Sequence, residues 1–362
     1  MNPHAYAIIM AGGSGERFWP LSTGARPKQF VSIFGGKPLI RHAVDRLEGL
    51  VPPERILIVT SAALADASRK ACDNLPPENV VGEPCRRDTA AACALSCGLV
   101  AARDPEGVAA ILTADQIMAD APAFRLILAD SFTAAATSGA IVTIGVVPDH
   151  PATGFGYIEG GDVVDFGTDT EFRRARRFVE KPDAETAARY LAAGNFRWNA
   201  GMFIWHVRTM REAIARHAPG LLPVVEAPAA AADPAALDAR LAELYPPLPK
   251  ISVDYAIMEK CDDIVMAGGA FGWDDVGSWP SIDKHFPHDA SGNLALGKVE
   301  TRDAARNIVV ADGDRLVALL GCDDLIVVQT GKATLVCPKA RAQELKQLVR
   351  QIGGRADGAE FI

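Results

Sequence analysis

The 362-residue chain opens on Met1-Asn2-Pro3-His4-Ala5-Tyr6-Ala7-Ile8-Ile9-Met10, with no basic stretch ahead of an apolar one. A signal peptide of the usual form is therefore not expected. No apolar run reaches the roughly 20 residues that cross a bilayer as a helix, so no membrane partner is expected. Positive charge is in deficit: 37 Lys and Arg against 45 Asp and Glu leave a formal charge of −8. Binding of nucleic acid through a basic surface is therefore not expected, and an anionic ligand would need locally concentrated cations or metal. Cysteine is sparse. The seven, at 72, 85, 93, 97, 261, 322 and 337, are odd in number, contain no CxxC pair and follow no secretory signal. They read as reduced thiols of a cytoplasmic protein. Cys93 and Cys97 stand four apart, but their neighbours in Ala91-Ala92-Cys93-Ala94-Leu95-Ser96-Cys97 are small and apolar, so packing is expected rather than metal binding.

What is present is an ordinary globular composition, 49% hydrophobic and 23% charged, in a length that suits one large domain or two unequal ones. In the first half, residues 5–11, 55–60, 108–113 and 140–147 are short, apolar and rich in Ile and Val, and read as strands. Residues 38–50, 62–73, 88–103 and 122–137 between them carry helical spacing. Strands apolar on both faces and separated by helices imply a mostly parallel sheet covered on both sides. Ligands gather at the carboxyl ends of such strands, so chemistry is sought in the loops that leave them. Residues 226–244 are rich in Ala and Pro and read as a helical surface insertion with a loose start. After about 285 the pattern changes to short strand candidates at 298–301, 307–310, 315–320, 325–329 and 334–336, closed by an amphipathic helix over 338–352. Such an appendage is expected to serve packing or oligomerisation rather than catalysis.

The first strand runs into Ala11-Gly12-Gly13-Ser14-Gly15-Glu16-Arg17. Glycines there let the backbone turn sharply and aim N–H groups at an anion. The Gly-Lys-Ser/Thr ending of a P-loop is missing, and Phe18 stands where a dinucleotide fingerprint needs its third Gly. Arg17 and, shortly after, Lys28 in Arg26-Pro27-Lys28-Gln29-Phe30 add the cations that a polyphosphate requires. Asp115 follows the strand 108–113, and Asp274 and Asp275 lie in a Gly- and Trp-rich turn. Hard oxygen ligands of that kind suit Mg²⁺, although either Asp alone also reads as a turn or helix cap.

Gly12 to Ser22, followed by Arg26-Pro27-Lys28-Gln29-Phe30, resembles the signature of the sugar-nucleotide pyrophosphorylase family, and within it the mannose-1-phosphate guanylyltransferases. The resemblance recurs in Thr153-Gly154-Phe155-Gly156-Tyr157-Ile158-Glu159, Phe178-Val179-Glu180-Lys181-Pro182 and Trp198-Asn199-Ala200-Gly201-Met202-Phe203. It continues through Ser252-Val253-Asp254-Tyr255-Ala256-Ile257-Met258-Glu259-Lys260 and Gly272-Trp273-Asp274-Asp275-Val276-Gly277-Ser278-Trp279. These motifs fall in family order and cover most of residues 5 to 340.

The resemblance implies an α/β fold: a mixed, mostly parallel Rossmann-like sheet of the nucleotide-diphospho-sugar transferase type, with a small C-terminal all-β, β-helix-like appendage. The expected division is 1–284, with a GTP-binding loop at 11–30 and a sugar-phosphate part at about 150–280, and 285–362. It implies transfer of GMP from GTP to α-D-mannose 1-phosphate, giving GDP-mannose and pyrophosphate. Arg17 and Lys28 are the implied catalytic cations and Asp115 and Asp275 the Mg²⁺ ligands. Gly12, Gly13, Ser14, Gly15, Glu83 and Asp88 are implied for the nucleotide, and Gly156, Glu180, Lys181 and Asn199 for the sugar phosphate. Asp88 departs from the family's usual Asn; it reads equally as the cap of a helix over 89–103 and as a base contact. Thr113-Ala114-Asp115-Gln116 departs from the common Pro-Ala-Asp-His but keeps the metal-binding Asp. Histidines 42, 206 and 217 read as structural. The short monofunctional form is expected, without the isomerase domain of longer relatives. A homodimer stays open, as do two rival readings: a relative using another sugar 1-phosphate or nucleotide, and a non-catalytic GDP-mannose-binding regulatory subunit.

Overall fold

A computed structural model describes residues 2–13 and 15–362. By their contacts they fall into two units: Met1–Gly12, Ala43–Ala114 and Met118–Trp273 form the first, and Gly13–His42, Asp115–Ile117 and Asp274–Ile362 the second. This division does not follow a cut at residue 284. The loop after the first strand and the turn from Asp274 onward share a core with the C-terminal strands, and that shared core draws them together.

The first unit is built on a nine-stranded sheet. Its strands run in the order Val80–Glu83, Ile56–Ser61, Ala5–Ala11, Val108–Thr113, Phe196–His206, Ile141–Val146, Ile264–Gly269, Phe172–Val179 and Tyr157–Val164. The first four are mutually parallel, with Ala7 beside Ile56 and Ala110. Ala5–Ala11 and Val108–Thr113 are buried almost throughout, which is why they read as continuous apolar runs. Phe196–His206 enters antiparallel to Val108–Thr113 and Ile141–Val146, and the hairpin of Tyr157–Val164 with Phe172–Val179 closes the far edge. The arginines of that edge are paired outward, Arg177 with Glu159, Arg174 with Asp263 and Arg176 with Asp162, as a solvated face would have them.

Against the parallel half packs the helix Asp88–Arg103, buried from Ala90 to Val100. Its small side chains allow close approach: a Cβ on Gly98 would overlap the Val225 carbonyl. Cys93 and Cys97 are fully buried there, packed as the sequence predicts, and all seven cysteines are free thiols. The 226–244 region resolves into helix Pro234–Leu244, capped by Asp233 and pinned by buried Leu237 and Leu241. Among the described residues no helix is long and apolar enough to cross a membrane.

In the second unit, Leu294–Leu296, Ile308–Ala311 and Leu325–Gln329 lie parallel and Thr334–Pro338 returns antiparallel, while Val299–Arg302 pairs in parallel with Val317–Leu320. Helix Leu345–Gly353, shorter than the predicted 338–352 because a 3₁₀ stretch Lys339–Glu344 precedes it, follows the last strand. A buried asparagine ladder runs through the coils. Asn293 donates to Ala304 O, Asn307 donates to Asn293 Oδ1 and Cys322 O, and Leu325 N–H donates to Asn307 Oδ1. The strands' inward faces (Leu294, Ile308, Val310, Ile326, Val328) form one core with Phe18, Trp19, Val31 and Trp279.

Candidate functional site

In the second unit, Gly15 has φ 61° and lies against Lys28, whose Cβ and backbone nitrogen a Gly15 side chain would overlap. Only glycine meets both demands without strain. Lys28 is itself only 6% exposed, and its ammonium sits 5.8 Å from the centre of the Phe18 ring. Its Nζ donates to Asp115 Oδ2 at 3.0 Å and to the Asp275 carbonyl at 2.6 Å. A buried cation thus faces a carboxylate and a carbonyl, partners that offset its desolvation. Exposed Arg17 donates to the Gly277 carbonyl at 3.5 Å. Arg17, Lys28, Asp115 and Asp275 are therefore brought together, with Gly13 in the same unit. Ser14 lies outside the described residues. Gly12 and Gly13 are exposed, and a Cβ on either would meet no described atom within 4 Å. Packing does not demand glycine there.

Burial raises the Asp275 pKa above the usual carboxylate range; Asp274 and Asp115 push it further and Lys28 opposes. Two neighbouring carboxylates of this kind fit a divalent cation. Among the described residues no group of three or more His, Cys, Asp or Glu makes a protein-only cage. An ion at Asp115 and Asp275 would fill its shell with phosphate oxygens and water, the habit of Mg²⁺.

Asp274 has another office. It is buried, and its carboxylate takes the Val276 N–H at 2.8 Å, His285 Nε2 at 2.5 Å and Lys284 Nζ at 3.1 Å. Burial pushes its pKa up, but these donors outweigh burial and hold it below the usual value. Val276 has φ 46°, a left-handed conformation that costs a β-branched residue about 1–3 kcal/mol.

In the first unit, the strand Phe172–Val179 delivers Glu180 and Lys181, the latter in a left-handed conformation with φ 46°. Lys181 Nζ donates to Glu180 Oε1. A Cβ on Gly156 would run into Glu180 Oε2 and crowd Asn199, so the glycine makes room for the carboxylate. Asn199 N–H donates to Gly156 O at 2.8 Å, Asn199 Oδ1 accepts Gly201 N–H at 3.0 Å and Nδ2 donates to Asp254 Oδ1 at 3.0 Å. All four residues expected for the sugar phosphate are thus neighbours, joined by Asp254. Burial and the Glu180 charge push the Asp254 pKa up while the Asn199 bond lowers it.

Glu83 ends the edge strand Val80–Glu83 of the same unit. Burial lifts its pKa to about 7, with the Tyr245 hydroxyl opposing, and its Oε1 is buried without a hydrogen-bond partner among the described residues. Arg87 Nε clamps the Tyr245 carbonyl at 2.9 Å. Asp88 is exposed at φ 64°, and its Oδ1 accepts the Thr89 N–H at 2.8 Å, a local contact at the helix start. His42 Nε2 donates to the Phe34 carbonyl, and His206 Nδ1 caps helix Val207–His217 by accepting the Arg208 N–H, both structural.

Three participants escape the sequence reading: Asp254, Asp274 in its bonding role, and His285. Asp254 lies inside a motif already singled out, so its carboxylate is visible there. His285 stands eleven residues from its partner, across a turn that no pattern announces.

The comparisons agree over most of the chain. The family described as Nucleotidyl transferase matches residues 6–292, and that described as MannoseP isomerase/GMP-like beta-helix domain matches 298–352. The Escherichia coli (strain K12) mannose-1-phosphate guanylyltransferase is 36% identical over 98% of this chain and 74% of its own length. A mannose-1-phosphate guanylyltransferase of Salmonella typhimurium is 37% identical over the same shares. The crystal structure of a Thermus thermophilus protein described as a mannose-1-phosphate geranyltransferase superposes with TM-score 0.86 and 36% identity, covering 97% of this chain and 100% of that one.

Proposed function

The chain belongs to the Nucleotidyl transferase family, and from that premise we propose that it transfers GMP from GTP to α-D-mannose 1-phosphate, yielding GDP-mannose and pyrophosphate. The observation that carries this reading is similarity across 98% of the chain to enzymes named for that reaction. The sugar phosphate is already an anionic nucleophile. Its oxygen attacks the α-phosphorus of GTP in line, one O–P bond forms, the bond to the β-phosphate oxygen breaks, and pyrophosphate leaves. No side chain has to take a proton, so the protein's task is positioning and charge neutralisation.

Arg17 and Lys28 hold the triphosphate and neutralise charge as pyrophosphate departs, while Gly12, Gly13, Ser14 and Gly15 let backbone N–H groups approach it. Asp115 and Asp275 hold Mg²⁺, which supplies Lewis-acid neutralisation of phosphate charge. Glu180 accepts hydrogen bonds from sugar hydroxyls and Lys181 pairs with the sugar phosphate, with Gly156 and Asn199 keeping Glu180 in place. Guanine presents N–H donors on its pairing edge, and a buried carboxylate oxygen without a partner is the matching acceptor; that supports Glu83 as the reader of the base. Asp88 assists from the start of the helix that follows. The small-molecule partners are then GTP, mannose 1-phosphate, GDP-mannose and pyrophosphate, and the seven free thiols suit a cytoplasmic location.

Steady-state assays that cross GTP, ATP, UTP and dTTP with mannose 1-phosphate and glucose 1-phosphate test the reading. GTP with mannose 1-phosphate is expected to give the highest kcat/KM. A preference for UTP with glucose 1-phosphate overturns it, and inactivity with every pair favours a regulatory binding protein.

A further inference from the structure

The turn from Asp274 to Gly277 offers more than the Asp275 carboxylate. Its carbonyls face both cations, Asp275 O accepting Lys28 Nζ and Gly277 O accepting Arg17 Nη1. The Gly277 N–H returns to Asp275 Oδ1 at 3.2 Å, and a Cβ on Gly277 would overlap the Asp275 carboxylate. The position of Asp275 therefore depends on the backbone between 275 and 277. That backbone passes through a left-handed conformation at fully buried Val276, whose N–H is taken by Asp274 Oδ1. Asp274 in turn is anchored by His285, whose ring stands edge-on to Phe34 at 5.7 Å, and Phe34 stacks on Phe286 at 5.3 Å. Lys284, half exposed, adds the third donor. A rigid aromatic support, a buried carboxylate and a strained turn form one chain of contacts that ends on Arg17, Lys28 and Asp275.

We propose that Asp274 is a positioning residue: bonded to His285 and Lys284, its carboxylate locks the left-handed turn at Val276 and so sets Asp275 and the carbonyls of Asp275 and Gly277 for the metal and for the two cations. This rests on the reading of Asp115 and Asp275 as ligands of a divalent cation. Outer partners that orient a ligand typically change metal affinity or activity by about 10–100-fold when removed. Asp274→Ala removes the carboxylate that takes the Val276 N–H, His285 and Lys284. Asp274→Asn keeps an oxygen for the Val276 N–H, and His285→Ala loosens the anchor while leaving Asp274 in place.

The test measures three quantities on the full chain and its variants: Mn²⁺ affinity by electron paramagnetic resonance, kcat and KM for both substrates, and thermal unfolding. Asp274→Ala is expected to weaken Mn²⁺ binding and lower kcat by about 10–100-fold, with KM for mannose 1-phosphate within twofold of wild type. Asp274→Asn is expected to restore most of both, and His285→Ala to fall between. Should Asp274→Ala fail to fold, His285→Ala decides on the same readouts. The proposal is overturned if the folded variants bind Mn²⁺ and turn over within twofold of wild type, even with a lower melting temperature. Equal impairment of the Asn and Ala variants, or a wild-type protein that binds no Mn²⁺, overturns it too. A wild type that binds Mn²⁺ but makes no GDP-mannose sinks the proposed reaction alone, and the Mn²⁺ affinities still decide the role of Asp274.

Discussion

Glu83 shows how burial alone can set a residue's behaviour. Its pKa lies near 7 instead of 4.5 because the carboxyl is removed from water. An acid whose pKa is raised on folding stabilises the native state fully below its unfolded value, and that stability is lost as pH rises through the folded value. Between about pH 4.5 and 7 the unfolded chain gives up this proton and the native one keeps it. The difference amounts to at most about 3.5 kcal/mol, from roughly 1.4 kcal/mol per unit. Urea unfolding of wild type and Glu83→Gln at pH 5, 6, 7 and 8 is expected to show the wild type losing stability across that window by up to this amount relative to the variant; parallel profiles would remove Glu83 as its source. Ionised, Glu83 offers guanine both oxygens as acceptors, so KM for GTP is also expected to fall as pH rises from 6 to 8. Lys181 makes a different residue-level claim. Exposed and paired, among the described residues, with its neighbour Glu180, it can turn to a phosphate, so Lys181→Ala is expected to raise KM for mannose 1-phosphate by tenfold or more and that for GTP little. The reverse ranking in steady-state kinetics would move Lys181 to the nucleotide.

At the scale of elements, Gly156 joins two strands of the hairpin to the third. A Cβ there enters the space of Glu180 Oε2, and overpacking of that kind typically costs about 1–3 kcal/mol. Gly156→Ala is therefore expected to raise KM for mannose 1-phosphate about 5- to 100-fold with little change in melting temperature, since Glu180 can swing away and keep the fold; a large fall in melting temperature at unchanged KM would contradict this. The same region marks the limit of what the sequence discloses about elements. Ala5–Ala11, Val108–Thr113 and Ile141–Val146 are legible because both faces are buried and nearly every residue is apolar. Val80–Glu83 is four residues ending in Gly and Glu, too short for any period to appear. Phe172–Val179 carries four arginines, three of them exposed, so its pattern resembles a charged helix or loop as much as a strand. The antiparallel entry of Phe196–His206 between two parallel groups is a long-range pairing, and nothing local encodes it. The site is more legible than the sheet, because glycines, cations and carboxylates in fixed short motifs report local chemistry directly.

At the scale of the whole chain, the sequence suggests a C-terminal appendage for packing or assembly, and the structure gives it a further task. Its inward residues Leu294, Ile308, Ile326, Leu345 and Val349 share one core with Phe18, Trp19, Val31 and Val276, residues that flank Arg17, Lys28 and Asp275. The Trp19 indole donates to the Phe361 carbonyl at 2.7 Å, and the Trp279 indole donates to the Trp19 carbonyl at 3.1 Å. The cation loop and the coil strands thus share one core, with the buried asparagine ladder inside the coils. Asn307→Ala strands the Leu325 N–H, which loses its acceptor, while Asn293 Oδ1 keeps the Asn307 N–H and the Cys322 carbonyl keeps the Ala305 N–H. Each buried polar group left unpaired costs about 1–3 kcal/mol, enough to open a marginal unit. If the body is cooperative, amide hydrogen exchange in Asn307→Ala should quicken at Phe30 and Val31 by the same factor as at Ile308 and Val310, and turnover should fall with it. Faster exchange confined to residues 294–338, with Phe30 and Val31 unchanged and kcat intact, would mean that the coil strands support nothing but themselves.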